Sequence, residues 1–172
     1  MIPLRTCAWF VAVLCATCVC VGSMHATDIG GTISTTLTIT TDSQLVDDVT
    51  CTVTNAPCIA IAAPDVKLEL NGFTMTGQAD ARVACTTSAP NFSEIGIDIE
   101  GLTGVAVRGP GLVQQFRGPG VFVFQSNGVT VTGITLSTNC FSGILVGGGS
   151  AHEISSNVSV RNGNPVAPCG GI

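Results

Sequence analysis

A glycine followed by isoleucine or valine recurs along the chain, at Gly96, Gly120, Gly143 and Gly171. The intervals are about two dozen residues. Each of the first three pairs opens a short run with alternating apolar residues, and a second apolar pair follows about eight residues later. A fixed period of this length is typical of a solenoid, in which each repeat forms one layer of a stack. The sequence therefore constrains the architecture more strongly than the activity.

Three short strands are predicted in each layer, because apolar and polar residues alternate with a period of two. An abundance of Gly, Thr and Val and a scarcity of helix formers also indicate an all-β domain. We expect His152, Val158 and Val160 to point inward, with His152 bonded to backbone rather than to a metal. The predicted layers fall at 59–75, 97–113, 121–136 and 144–160.

The first 26 residues have the pattern of a secretory signal peptide. A positive charge at Arg5 precedes an apolar stretch over 6–22, and the small residue Ala26 stands before the expected cleavage site. An uncleaved membrane anchor is the alternative, but the apolar stretch is short for a span of about 20 residues. A lipid anchor is weaker still, because the cysteines of this stretch lack the preceding small-residue pattern of lipoproteins. We therefore expect an exported protein, either extracellular or periplasmic.

Removal of the signal would leave about 146 residues, a length that suits one domain. Eleven acidic residues against five basic ones would give this mature chain a net charge of −6. No cluster of basic residues remains, so nucleic acid and anionic membrane surfaces are poor partners. The single Trp, Trp9, lies in the signal, and the chain has no Tyr.

The mature chain divides into a cap and a set of repeats. Residues 27–50 carry a Thr-rich strand pattern and are predicted to cover the open apolar end of the first layer. The repeats occupy 51–172, with insertions at 78–95 and 164–170, and such insertions lie on one side of a solenoid. The chain stops on Gly171-Ile172 at the start of another repeat, so we expect it to be the N-terminal part of a longer protein.

Three stretches resemble the right-handed parallel β-helix repeat family, which includes pectate-lyase-like proteins and the periplasmic copper-processing NosD-like proteins. They are Val-Lys-Leu-Glu-Leu-Asn-Gly-Phe-Thr-Met-Thr-Gly at 66–77, Val-Ala-Val-Arg-Gly-Pro-Gly at 105–111 and Gly-Val-Thr-Val-Thr-Gly-Ile at 128–134. The resemblance implies a single-stranded right-handed parallel β-helix with three short strands per coil and about four coils behind a capping strand. For function it implies binding, cleavage or epimerisation of extracellular polysaccharide in many members, and structural roles in others.

The first strand of each layer carries the strongest candidate site. Asp98 and Glu100 are predicted to point outward beside Phe122 and Phe124 of the next layer. Carboxylates bind sugar hydroxyls or Ca²⁺, and aromatic rings stack on pyranose faces, so this pattern favours carbohydrate binding. The alternative is that the 78–95 insertion or a partner covers the rings while the acids are merely solvated. Two carboxylates fall short of the 6–8 oxygens of a Ca²⁺ site, so no cofactor is predicted beyond a weak case for Ca²⁺.

Catalysis is a weaker hypothesis for this segment. Asp98 and Glu100 could serve as acid and base toward a glycosidic bond, since both project to the same side of one strand. Lyase-like members of the resembled family use an Arg or Lys base, for which Arg108 and Arg82 are candidates. However, nothing in the sequence brings either arginine to Asp98, and the Asp pairs and Gly-His-Gly of polygalacturonase-like members are absent.

Five cysteines follow the signal, and disulfides are expected in an oxidising compartment. Cys51 and Cys58 frame a short turn and form the best local pair. Cys140 and Cys169 fall at the same corner of neighbouring layers, about 4.8 Å apart, which is compatible with a second bond. Cys85 then has no partner, unless it displaces one of these four.

Three functions remain open from the sequence. The leading hypothesis is an exported β-helix protein that binds, or presents a surface to, extracellular polysaccharide. The second is a polysaccharide lyase, hydrolase or epimerase with catalytic coils partly beyond residue 172. The third is a structural or adhesion stalk.

Overall fold

A computed structural model describes residues 26–79 and 90–163. Within these ranges the protein is all-β and contains fifteen strands. The first six strands are β1 (Thr27–Ile33), β2 (Leu37–Ile39), β3 (Ser43–Cys51), β4 (Ile59–Ile61), β5 (Lys67–Glu69) and β6 (Thr74–Thr76). The next nine are β7 (Ile97–Glu100), β8 (Ala106–Arg108), β9 (Leu112–Gln114), β10 (Val121–Asn127), β11 (Thr130–Thr132), β12 (Thr135–Ser137), β13 (Ile144–Ser150), β14 (Glu153–Ser155) and β15 (Val158–Val160).

The strands form two parallel sheets. The five-stranded sheet has the order β13-β10-β7-β4-β2. The ten-stranded sheet has the order β14-β11-β8-β5-β3-β6-β9-β12-β15, and β1 pairs with β3 beside this path. From β4 onward each strand pairs with the strand three places later in the chain, so every group of three lies on the preceding group. The predicted all-β, parallel, solenoid-like architecture is confirmed.

The core lies between the two sheets and is built from stacked apolar columns. On the five-stranded sheet, Ile97, Val121 and Ile144 are in register and fully buried. On the ten-stranded sheet, Val107 and Val131 stack in the same way. Full burial of such a side chain contributes about 1.5–3 kcal/mol. The repeat period therefore arises because each layer must present an apolar side chain at the same place as the layer beneath it.

The outward columns of the five-stranded sheet have the register that the sequence predicts. Asp98 lies beside Phe122, and Glu100 lies beside Phe124. On the other side of Phe124 the partner is Gly147. The prediction that acids and phenylalanines share one face of one sheet is therefore confirmed.

The predicted orientation of the last strand is wrong. Val158 and Val160 point outward and are 52% and 39% exposed, whereas Ser159 is in register with the buried Leu136. The reason lies in two asparagines that flank β15. Asn157 Oδ1 accepts a hydrogen bond from the Ile134 amide (3.1 Å), and Asn162 Oδ1 accepts one from the Asn139 amide (2.9 Å). These bonds to the preceding layer fix the register against the hydrophobic alternation of the strand.

Residues 27–50 contain two strands and most of a third. β2 pairs with β4, and β1 pairs with β3. The nine-residue β3 spans the places of two short strands, because its start pairs with β5 and its end pairs with β6. Asp48 Oδ1 accepts the Thr74 amide hydrogen bond at 2.8 Å, and Asp42 Oδ1 accepts that of Lys67 at 2.9 Å. These acids therefore satisfy backbone donors of the next layer.

An Asn-Gly corner follows β5, where the chain turns toward β6. Asn71 and Gly72 both have positive φ, at 51° and 87°. Asparagine and glycine tolerate this left-handed conformation better than other residues. The Asn71 side chain also donates to the Leu45 carbonyl at 3.0 Å, which ties the corner to β3.

Candidate functional site

Four phenylalanines form one cluster at the outer surface of the five-stranded sheet. The rings of Phe122 and Phe124 are nearly parallel, with centroids 5.7 Å apart and an interplanar angle of 13°. Phe92 packs edge-on against Phe122 at 5.2 Å and against Phe141 at 5.4 Å. Phe92 remains 42% exposed, and the other three rings are partly exposed. The cluster therefore presents aromatic surface to solvent.

Asp98 and Glu100 lie beside these rings on β7. Asp98 is partly buried, whereas Glu100 is exposed. Asp98 Oδ1 is buried, and none of the described residues donates a hydrogen bond to it. Burial, and secondarily the charge of Glu100, raise the pKa of Asp98 above its usual range. We call Asp98, Glu100 and the rings of Phe92, Phe122, Phe124 and Phe141 the aromatic–acidic face.

Gly147 gives the ring of Phe124 its place on this face. Gly147 is the in-register partner of Phe124 on β13. A Cβ atom at Gly147 would lie 3.0 Å from Phe124 Cδ2. Such a contact is tighter than side chains normally tolerate, so the ring would have to shift. The glycine therefore allows Phe124 to lie over the neighbouring strand.

A buried ion pair holds Phe92 against the cluster. Glu94 is 4% exposed and forms a two-pronged ion pair with Arg117, in which Arg117 Nε donates to Oε2 at 2.5 Å and Arg117 NH2 donates to Oε1. This hydrogen bonding raises the pKa of Arg117. Glu94 Oε1 also accepts bonds from the Asn55 amide and the Asn91 side chain, both at 3.1 Å. The end of the 78–95 insertion is thereby anchored to the layers on both sides of it.

Sequence reasoning missed this ion pair. Glu94 lies in the 78–95 insertion, whose residues do not follow the hydrophobic repeat. The signal that could have found the pair is their separation of 23 residues, which equals one repeat. Opposite charges one period apart stack in neighbouring layers of a solenoid.

The insertion covers part of the cluster. Its returning segment brings Phe92 onto Phe122, so one side of that ring is packed within the protein. Phe124 has no such aromatic cover from the described part of the insertion. Residues 80–89, including Arg82 and Cys85, lie outside the described residues.

Arg108 lies on the ten-stranded sheet, away from the strand that carries Asp98. It forms an ion pair with Glu69 at 3.6 Å, and the two side chains are 46% and 36% exposed. The structure therefore does not bring Arg108 together with Asp98 and Glu100, which share β7.

The structure joins Cys51 and Cys58 in a disulfide, with Cα atoms 6.0 Å apart and both residues buried. Cys140 is fully buried and is also disulfide-bonded. Cys169, the partner expected for Cys140, lies outside the described residues. The cysteines of the described part are therefore engaged in bonds rather than in metal binding.

His152 lies at the corner before β14. Its Nε2 is 3.4 Å from the Gly148 carbonyl, and its buried Nδ1 has no partner among the described residues. Across residues 26–79 and 90–163, no three His, Cys, Asp or Glu side chains gather in a group suited to a metal ion. The same part of the chain has no helix with the length and apolar character needed to cross a membrane.

A cleft of about 430 Å³ opens at the N-terminal end of the stack, between β1 and β2. Its floor includes Ile29, Ile33 and Ile39, and threonines and Asp28 line its sides. All three isoleucines are already buried by the protein itself. The cleft therefore exposes little of these three apolar side chains.

Comparison of the chain with protein-family models, curated proteins and solved structures found no match.

Proposed function

We propose that this protein is exported and binds polysaccharide on the aromatic–acidic face. The observation that carries the proposal is the placement of the parallel Phe122 and Phe124 rings in register with Asp98 and Glu100. Binding sites combine apolar and aromatic surface with a few placed polar groups that fix orientation. Ring faces can stack on pyranose rings, and the carboxylates can accept hydrogen bonds from hydroxyl groups.

Export is supported by two independent features. The N-terminal 26 residues have the charge, apolar stretch and small terminal residue of a signal peptide. The bond between Cys51 and Cys58 fits an oxidising compartment, in which disulfides persist. Extracellular and periplasmic destinations both satisfy these features.

We further propose that the scaffold is a right-handed parallel β-helix of about four coils, related to pectate-lyase-like or NosD-like proteins. Connections between parallel strands are right-handed in about 98% of cases, which favours this hand over the other. The inward columns and the polar corners fit the resemblance seen in the sequence. In this arrangement the aromatic–acidic face is one long side of the helix, which suits an extended polymer.

A binding assay with a matched pair of variants tests the proposal. The purified protein is screened against neutral, acidic and basic polysaccharides, and affinities are measured by calorimetry. Phe124→Ala should weaken binding about three- to tenfold, because it removes one aromatic contact of about 0.5–1.5 kcal/mol. Thr135→Ala, on the ten-stranded sheet, is the control and should leave affinity unchanged. Absence of binding to every polymer would favour the structural stalk instead.

Hydrolysis is the second candidate, because the pKa of Asp98 is raised beside Glu100. A carboxyl group that holds its proton can act as general acid while a neighbouring carboxylate acts as base or nucleophile. Their Cα atoms, two residues apart on one strand, are separated by about 6.6 Å. Release of reducing ends by the protein, abolished in Asp98→Ala, would support this activity, and unsaturated products would instead indicate a lyase.

A further inference from the structure

We infer that the polysaccharide recognised by the aromatic–acidic face is cationic and carries free amino groups on its sugar rings. This inference rests on the proposed function, because it names the ligand class of the same face. It follows from the charge of the face, from the partly exposed Asp98 carboxyl group and from the electron-rich surfaces of the rings.

The face carries negative charge that no described cation balances. Asp98 and Glu100 project from the same side of β7. Each cationic side chain of the described part lies away from the face or is already paired. Lys67 and Arg108 lie on the ten-stranded sheet, Arg117 is held by Glu94, and Arg161 follows β15. A positively charged ligand would therefore gain favourable electrostatic energy here without displacing any cation of the described residues.

Asp98 is only partly buried, so a ligand on this face can approach its carboxyl group. Its Oδ1 is buried without a hydrogen-bond donor among the described residues. A buried acceptor that stays unpaired costs free energy, whereas a bond to a charged donor is stronger than a neutral one. A protonated sugar amine supplies three N–H donors to the accessible part of this carboxyl group, and its positive charge would also stabilise the unpaired Oδ1. The repulsion between Asp98 and Glu100, which contributes to the raised pKa of Asp98, would be relieved at the same time.

The rings add a second attraction for a cation. The face of a phenylalanine ring is negative, and cations within about 6 Å of its centroid are attracted to it. Phe122 is the in-register neighbour of Asp98, and Phe124 is that of Glu100. An amino sugar stacked on either ring would therefore place its ammonium group between an aromatic surface and a carboxylate.

Polymers of uronic acids fit the face poorly. Their carboxylates would meet Asp98 and Glu100 with the same charge, and no described cation lies there to offset the repulsion. A bridging Ca²⁺ would need 6–8 oxygen ligands, of which this pair supplies few. Neutral chains could stack on the rings but would leave the charge of the face uncompensated.

Three oligosaccharides of equal length separate these cases. They are oligomers of glucosamine, of N-acetylglucosamine and of galacturonic acid, and their affinities are measured by calorimetry at mildly acidic pH and low salt. The first two have the same backbone and differ only in whether the amine is free or acetylated. We expect the glucosamine oligomer to bind about ten- to a hundredfold more tightly than its acetylated counterpart, and this preference should shrink with added salt.

Variants assign the preference to particular residues. Asp98→Asn and Glu100→Gln should each reduce the preference for the free amine, and should change binding of the acetylated oligomer little. Phe124→Ala should weaken both oligomers. Glu153→Gln removes the same charge from the ten-stranded sheet and should have no effect. Circular dichroism checks that every variant remains folded.

The inference fails if the acetylated or the galacturonic acid oligomer binds at least as tightly as the glucosamine oligomer. It also fails if Asp98→Asn and Glu100→Gln leave the preference intact. Either result would leave the proposed polysaccharide-binding function standing. Absence of binding to all three oligomers and to every polymer in the wider screen would overturn both proposals together.

Discussion

The two sheets of this protein are alike on their inner faces and different on their outer faces. Apart from the exposed Val158 and Val160 on its last strand, the outer face of the ten-stranded sheet has polar groups that pair with each other. Arg108 pairs with Glu69, the Gln114 side chain donates to Thr76 Oγ1 at 3.2 Å, and the hydroxyl oxygens of Thr132 and Ser155 are 3.3 Å apart. On the five-stranded sheet, Asp98 has a buried oxygen without a described partner, and phenylalanines replace the hydroxyls.

This difference separates what the fold requires from what it permits. The stack requires matched apolar columns inside, and both sheets supply them. It does not require aromatic rings or an unsatisfied acid outside, because the ten-stranded sheet stacks without either. An ordinary protein surface rarely combines exposed apolar area with buried, unpaired polar atoms. This combination therefore marks a candidate interaction site. The outer face of the five-stranded sheet is therefore the better candidate for a recognition surface.

The largest expected effect is on stability, and it tests whether the inner faces of the two sheets contribute equally to the core. Ile97 and Leu136 are fully buried on the five- and ten-stranded sheets respectively. Replacement of either by alanine should lower the free energy of unfolding by about 3–4 kcal/mol, since it removes buried methyl groups and leaves a cavity. Urea unfolding followed by circular dichroism measures this, because residues 27–172 lack both Trp and Tyr. A much smaller loss at one site would mean that the two inner faces are not equivalent.

The next largest effect is also on stability, and it compares the Glu94–Arg117 ion pair with the Glu69–Arg108 ion pair. Arg117→Met should lower the free energy of unfolding by about 2–3 kcal/mol, because it leaves the buried Glu94 carboxylate without its cation. This value lies below that for a fully buried pair, since the Arg117 side chain is 27% exposed. The same urea titration provides the measurement.

Arg108→Met is the matched control for Arg117→Met. Its partner Glu69 is exposed, so the loss should stay below about 1 kcal/mol. In the 90–95 segment, hydrogen exchange should quicken in Arg117→Met and not in Arg108→Met. Equal losses for the two variants would contradict the assignment of Glu94 and Arg117 as the anchor of Phe92.

The inward columns could be predicted from the sequence because they repeat the same physical requirement in each layer. Ile97, Val121 and Ile144 occupy equivalent places, and a single period describes them. The outward pairing of Asp98 with Phe122 then follows from strand alternation alone. The register of the first strand in each layer could therefore be predicted from the sequence.

Features set by side-chain hydrogen bonds between layers could not be predicted in this way. The asparagines around β15 turn Val158 and Val160 outward, although the apolar pattern favours the opposite orientation. Phe92 reaches Phe122 only because an ion pair fixes the end of an insertion that has no repeat phase of its own. Hydrophobic periodicity contains no information about such contacts.

The smallest effect tests the acid on the five-stranded sheet through its pH dependence. The pKa of Asp98 is raised in the folded protein, so the native state binds a proton more strongly than the unfolded chain. Stability that this proton confers is present in acid and is lost as the pH rises through the raised pKa. The Asp98→Asn variant has no carboxyl group at this position, so its stability does not fall in this way as the pH rises. Its free energy of unfolding, compared with that of the wild type, should therefore increase from acid to neutral pH, as measured by urea unfolding across that range.

Glu153→Gln, on the ten-stranded sheet, is the control and should stay within about 0.5 kcal/mol of the wild type at every pH. An Asp98→Asn variant that is less stable than the wild type at neutral pH would mean that the carboxylate is satisfied, and the contrast between the two outer faces would then rest on the phenylalanines alone.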